Sequence, residues 1–289
     1  MSFVTQNIPV IGGLASQIQQ YMALFAVAKE NGKEIVFSEQ MKTNGVGFQF
    51  SKILDIPIRF EPNSFFDDFQ SIQPDGSKIV DPKMFALDPT TNYTIDGRFD
   101  LFHYWYPKYA DVAMNWRWNS VYYERAKRRF ESLCSDGKEL VSIHVRRGDY
   151  LLPQHHHFCI LNLDYYNEAI SHFMGEIDKY HFVVFSNEIE WCKENLIEGD
   201  MVTFIQPGEE DYGWSAPSET GIEDLVLMSM CHHNIIGNSS YSWWAAFKNE
   251  NPTKKVICPK NYLRDYSGFR HINGNWFPPE WISIDNYNR

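Results

Sequence analysis

Beyond Gly137 the chain settles into a regular alternation. LVSIHV (140–145), HFVVFS (181–186), VTFI (202–205), NIIG (234–237) and KVICP (255–259) are short runs rich in Val and Ile, each separated by enough chain for a helix. Between them Tyr166, Ala169, Ile170, Phe173 and Ile177, with Asp164 as N-cap, keep the three-and-four spacing of one helix face. Ile222, Leu225, Met228 and Cys231 do the same further on. Apolar strands of this kind are buried on both faces, and their alternation with helices specifies a parallel, doubly wound α/β sheet. Ligands of such sheets bind beyond the carboxyl ends of the strands, so chemistry is expected in the residues that follow each run.

The first half is less regular. A length of 289 residues with 44% apolar content predicts about two domains at roughly 150 residues each. The turn-like stretch Cys134 to Gly137 is the expected boundary, giving domains 1–137 and 138–289. At the front, a strand ending at Val10-Ile11 passes through Gly12-Gly13 into a helix marked by Ile18, Tyr21, Met22, Phe25 and Ala28. Asn31-Gly32 stops that helix and EIVFS (34–38) follows, so residues 1–38 read as one β-α-β unit. From 39 to 115 the sequence dissolves into Pro, Gly, Asp and aromatic segments, where irregular structure and short helices are expected; Tyr122 to Leu133 reads as a helix. There is no internal repeat.

Composition removes several function classes. The 26 Lys and Arg against 37 Asp and Glu leave a formal charge of −11, the wrong sign for a protein that lives on nucleic-acid backbone. Apolar runs such as Met22 to Ala28 are far short of the roughly 18 residues of a membrane span. MSFVTQNIPV shows no signal-peptide pattern, so the expected location is the cytosol or the cytoplasmic face of a membrane. Five well-separated cysteines, with no C-x-x-C pair, read as reduced and buried thiols. The sequons at Asn92 and Asn238 are then chance matches. Aromatic residues are 16% of the chain, as core or as rings for stacking on a ligand.

After LVSIHV comes Arg146-Arg147-Gly148-Asp149-Tyr150, and strand alternation places His144 and Arg146 on one face. A guanidinium there stays charged at every accessible pH and can bind a diphosphate bidentately. The plainer readings are a surface ion pair or an adhesion tripeptide, which a buried strand end disfavours. After NIIG, Asn238-Ser239-Ser240 opens a helix whose N-terminal N–H groups suit an anion, or the serines act only as caps. Asp224 is either a dipole-complementing helix residue or an acceptor for a nucleobase. Gly12-Gly13 lies at a strand-to-helix turn suited to close backbone approach, without the dinucleotide or P-loop fingerprint. His155-His156-His157 cannot readily converge on one ion, and D-x-D is missing. Glu209-Glu210-Asp211 reads as solvated loop, so no metal site is expected.

Taken in order, these motifs resemble the bacterial α-1,2-fucosyltransferases of glycosyltransferase family 11. The matching segments are the Gly-Gly-Leu start, His144 to Tyr150, Asp164 to Tyr166, Phe185-Ser186, Asp224 to Ser229, Asn238 to Trp244 and Val256 to Pro259. Two places depart from that pattern: Ala15-Ser16-Gln17 stands where G-L-G-N-Q has Asn, and Phe185-Ser186-Asn187-Glu188 stands where F-S-D-D is usual. The resemblance implies a GT-B-like fold of two Rossmann-like halves facing across a cleft. The nucleotide would sit mainly on the C-terminal half, with the acceptor side on the N-terminal one. It implies inverting transfer of L-fucose from GDP-β-L-fucose to a galactose 2-hydroxyl on an oligosaccharide or lipid-linked glycan, as in O-antigen or capsule biosynthesis, with no metal or other cofactor. Arg146, supported by Arg147 and His144, is then assigned to the diphosphate, Asn238, Ser239, Ser240 and Gly13 to the donor, and Asp224 to guanine. Asp149 would stand near the acceptor hydroxyl, with the donor phosphate as the alternative base. A transferase for another GDP-sugar or linkage is the neighbouring alternative. A carbohydrate-binding protein would explain the aromatics but needs no diphosphate clamp, and an oxidoreductase lacks its glycine fingerprint.

Overall fold

The helical spacing from Ile18 to Ala28 is realised in a computed structural model that describes residues 2–6, 13–42, 49–97, 101–134, 136–206, 219–264 and 275–286. In the first unit, Met1–Asn119, β1 (Phe3–Gln6) is followed by α1 (Leu14–Glu30), β2 (Glu34–Ile35) and β3 (Phe37–Ser38). Then come α2 (Phe50–Ile53), β4 (Phe60–Glu61), β5 (Gln70–Ile72), β6 (Tyr93–Ile95) and α3 (Ala110–Asn115). The expected β-α-β unit is present, since β1 and β2 pair in parallel, Phe3 opposite Glu34. The strand read as reaching Val10-Ile11 ends at Gln6, and residues 7–12 lie outside the described residues. EIVFS is divided: β2 joins a parallel sheet of order β2-β1-β6-β5, and β3 pairs with β4 instead. Ile18, Met22, Ala26 and Val27 of α1 are fully buried. Lys33 ties the turn after α1 by donating to Ser2 Oγ and to the carbonyls of Asp88 and Thr91 at 2.7–2.9 Å.

The second unit, Ser120–Arg289, begins ahead of Gly137, and the physical reason is the helix α4 (Ser120–Leu133). Its chain continues through β7 (Glu139–Val145), α5 (Leu163–Met174), β8 (Tyr180–Ser186), α6 (Ile189–Asn195) and β9 (Val202–Ile205). It then runs through α7 (Glu219–Met230), β10 (His233–Ile235), α8 (Ser240–Phe247), β11 (Val256–Pro259) and β12 (Ile282–Ile284). Helix α4 is tied to α7 by Arg125, which reaches Glu219 and Glu223, and by Arg129, which reaches Asp224 at 2.7 Å. The N-cap of α5 is Asn162, whose side chain accepts from the Tyr165 N–H, so Asp164 lies inside the first turn rather than capping it.

Among the described residues the sheet of this unit runs β12-β11-β10-β7-β8-β9, every pair parallel. Its first strand, β7, lies in the middle. The chain builds outward through β8 and β9, then returns to lay β10 on the other side of β7. That reversal is the topological switch point of a doubly wound sheet, where the helices leave a crevice at the strand carboxyl ends. On one face Val141, Ile143 and Val145 pack with Tyr165, Ala169 and Phe173 of α5 and with Phe182 and Val184 of β8. The opposite face of β7 is polar: Ser142 accepts from Asn234 at 2.8 Å, and the His144 ring lies 5.5 Å from that of Tyr241 in α8. Among the described residues many of the aromatics are core, Trp105, Trp244, Tyr165 and Tyr166 being fully buried. All five cysteines are free thiols, and Cys192, Cys231 and Cys258 are buried. No helix among the described residues is long and apolar enough to cross a membrane.

Candidate functional site

The end of β7 lies against the end of β10 with no room between them. A Cβ on Gly237 would stand 3.2 Å from the His144 carbonyl oxygen and 3.9 Å from the Arg146 nitrogen. Only a residue without a side chain permits that approach without displacing backbone. Gly237 is thus part of the site's architecture, and its position at the end of NIIG was the signal for it. From Val145 the chain turns at once into a short 3-10 turn, Gly148–Leu151, which folds Asp149 back onto Arg146. Arg146 Nε meets Asp149 Oδ1 at 2.8 Å and Nη2 meets Oδ2 at 3.0 Å, a two-point pair with the Asp149 side chain 5% exposed. Such a fork fixes the plane of the guanidinium as well as its position. His144 is buried beside it; burial first, and the neighbouring Arg146 charge second, push its pKa down to about 3. At neutral pH it is an uncharged ring, and its buried Nδ1 has no hydrogen-bond partner.

The parallel register brings a second loop into this cluster. Val145 is opposite Ser186 at the ends of β7 and β8, so Asn187 follows in the place next to Arg146. Its Oδ1 accepts from the Arg147 backbone N–H at 3.0 Å, and its Nδ2 donates to Asp149 Oδ1 at 3.2 Å. Sequence reasoning gave no weight to Asn187 because the segment departs from the F-S-D-D pattern; only the register reveals it. Arg147 takes the other face of the strand end. Its guanidinium carbon lies 4.0 Å from the centre of the Trp191 ring in α6, a cation–π contact, so it is not brought beside Arg146.

Across the switch point Asn238 is fully buried and uses both amide hydrogens, on the carbonyls of Cys159 at 2.8 Å and Tyr262 at 2.9 Å. Its own carbonyl accepts from the Tyr150 hydroxyl at 3.1 Å, which ties the turn after β7 to the loop after β10. Ser239 is the N-cap of α8, accepting from the Tyr241 N–H, and the Ser240 N–H donates to the Tyr262 hydroxyl at 3.2 Å. The capping role is therefore present at Ser239 and not at Ser240. Asp224 sits in the middle of α7, buried and paired with Arg129. Gly13 belongs to the first unit, at the N-cap of α1, where an added Cβ would meet nothing within 4 Å. His144, Arg146, Asp149 and Asn238 are thus brought together with Asn187, Gly237 and Tyr150. Among the described residues no group of three or more His, Cys, Asp or Glu could hold a metal ion; Glu209 to Asp211 lie outside them.

Parallel α/β units, one carrying the Arg146–Asp149 pair at its switch point, define the class as that of the GT-B-like glycosyltransferase folds. By structure the chain is similar to the fucosyltransferase NodZ from Bradyrhizobium, with TM-score 0.57 and 13% identity, covering 84% of this chain and 91% of that one. It is similar also to POFUT1 in its apo form, with TM-score 0.54 and 12% identity, covering 89% and 97%. At such identities the likeness concerns the fold. The chain belongs to glycosyl transferase family 11, whose model matches residues 4–285. Relatives include the O-antigen biosynthesis glycosyltransferase WbnK of Escherichia coli, 29% identical over 51% of this chain and 47% of that protein. Galactoside alpha-(1,2)-fucosyltransferase 1 of Homo sapiens is 33% identical over 51% of this chain and 39% of its own length. The alignments span less than half the length of these relatives.

Proposed function

We propose that this protein transfers L-fucose from GDP-β-L-fucose to the 2-hydroxyl of a galactose, inverting the donor's β configuration to an α linkage. Membership of family 11 and the names of the relatives support fucosyl transfer. The observation that carries the reading is the Arg146–Asp149 fork at the switch point, where a nucleotide diphosphate is expected to bind. In the reaction the bond from the anomeric carbon to the β-phosphate oxygen breaks, and a bond from the acceptor oxygen to that carbon forms on the opposite face. Negative charge gathers on the departing GDP, and a fixed guanidinium stabilises it without reorganising. Arg146 supplies that cation, and the N-terminal turn of α8 beyond Ser239 adds its dipole.

Asp149 holds Arg146 in place in this reading. Both of its oxygens are already engaged, by Arg146 and by Asn187, so the acceptor proton passes to a phosphate oxygen of GDP. His144, neutral and beside Arg146, offers a hydrogen bond rather than charge. Asp224 accepts from guanine, its carboxylate oriented by Arg129. The acceptor is a galactose-terminated oligosaccharide or lipid-linked glycan, and no metal or other cofactor takes part. Incubation with GDP-fucose and a panel of terminal galactosides, followed by mass spectrometry and NMR of the products, tests the reading. A product carrying α-1,2-linked fucose is expected; no transfer to any galactoside, or a different linkage, overturns it.

A further inference from the structure

Asn187 makes two hydrogen bonds that look in opposite directions. It accepts from the main chain at Arg147 and donates to the carboxylate at Asp149, so the amide is fixed in one orientation and spans the turn between those residues. The turn is shaped to receive it: a Cβ on Gly148 would stand 2.5 Å from Asn187 Nδ2, a distance that forces the amide to move. Asp149 Oδ1 is the shared atom, taking Arg146 Nε at 2.8 Å and Asn187 Nδ2 at 3.2 Å. Asn187 is 8% exposed, and a buried carboxylate that loses one donor is left with unmet hydrogen-bonding capacity.

We propose that Asn187 is a positioning residue for donor binding, whose neutral amide keeps the Asp149 carboxylate free to clamp Arg146 and so aims that guanidinium at the diphosphate. The proposal rests on the reading of the switch point as the GDP site. It explains why an amide, and not a carboxylate, suits this chain at the place where F-S-D-D has an acid. A second carboxylate here would face Asp149 across 3.2 Å, compete for Arg146, and favour retention of one proton between the two acids. Other ionisable groups around the amide are Arg146, Arg147, Tyr150 and Glu188, with His144 on β7 and Cys192 on α6.

Calorimetric titration with GDP tests this, using the native protein, Asn187→Ala, Asn187→Asp and Gly148→Ala, with thermal unfolding of each as a check on folding. Asn187→Ala is expected to weaken GDP by about tenfold, equivalent to about 1.4 kcal/mol. Gly148→Ala, which pushes the amide aside, does the same, and the double variant loses no more than either single one, because both disable the same amide. Asn187→Asp carries the decisive readout: its affinity divided by the native affinity rises as pH falls from about 8 to about 5.5, since a protonated acid mimics the amide. Taking the ratio cancels the ionisation of GDP itself. A flat ratio, or additive losses in the double variant, overturns the role of Asn187 alone. Native protein that binds no GDP overturns the reading of the site and this proposal with it. Should Asn187→Ala fail to fold, the pH dependence of the near-isosteric Asn187→Asp decides.

Discussion

A guanidinium and an ammonium carry the same charge, but only the first meets two carboxylate oxygens in one plane, as Arg146 does with Asp149. Arg146→Lys is therefore expected to behave like Arg146→Ala in transfer assays, each losing about a hundredfold or more in rate, the scale of removing one fixed donor to a developing negative charge. Near-native turnover by the lysine variant would remove the fork from the mechanism. Arg146→Ala also leaves a buried carboxylate with only Asn187 beside it, and should lower the urea midpoint by an amount worth about 3 kcal/mol. At this scale the sequence is partly readable. Strand alternation places His144 and Arg146 together, and burial of the strand end makes the R-G-D readable as a clamp. Asn187 is not readable from its own segment. Its place depends on the register of β7 against β8, a pairing across some 40 positions that no local pattern encodes.

Helices α4 and α7 show how an element changes the meaning of a residue. The spacing of Ile222, Leu225 and Met228 predicts α7, and Tyr122 to Leu133 predicts α4, yet nothing in either run says that they lie together. The three carboxylates Glu219, Glu223 and Asp224 and the two guanidiniums Arg125 and Arg129 supply that link, and move the unit boundary ahead of α4. Asp224→Asn is expected to weaken GDP by roughly ten- to a hundredfold while leaving UDP and ADP almost unchanged, because an amide must turn a donor toward one of guanine's two donors. If Asp224 serves only to tie α4 to α7, Asp224→Asn and Arg129→Ala will lower the melting temperature equally and GDP affinity will not move. Titration of the three nucleotides against both variants separates the cases. The strands hardest to foresee are β5, β6 and β12, each three residues long. So short a segment has no period to read, and its pairing is decided by the sheet it joins.

Taken whole, the molecule carries in each unit a histidine whose neutral form is favoured, half-buried His103 with its pKa pushed down to about 4 by desolvation and buried His144 to about 3. Their folded pKa values lie below those of the unfolded chain, near 6.5. Between those limits the unfolded chain binds more protons, so stability is full above about pH 6.5 and falls as the pH drops toward 3 or 4. Urea midpoints measured from pH 7 to pH 4 should fall, and His103→Gln and His144→Gln should each flatten the slope. A slope unchanged by both substitutions would remove the two rings as its cause. Turnover, by contrast, is expected to survive EDTA, since Arg146 and a helix N-terminus carry the leaving-group charge. Loss of turnover on chelation, with recovery on adding a divalent ion, would show that a metal carries it instead.

The order of strands in the second sheet also bears on how the chain reaches its native state. Val141 pairs with Phe182 across 41 positions of sequence, but with His233 across 92. Closing the longer loop costs about 0.7 kcal/mol more in chain entropy, before the gains of intervening structure are counted. The β7–β8 ribbon with α5 is thus the cheaper nucleus, and the seam between β7 and β10 closes after it. On this account Ile235→Val in β10 should speed unfolding more than it slows folding, and Val184→Ala in β8 the reverse. The close approach of His144 and Gly237 is then among the late parts of the fold to form, and a nucleotide bound at that switch point, as proposed above, would act as a clasp on the seam that opens first.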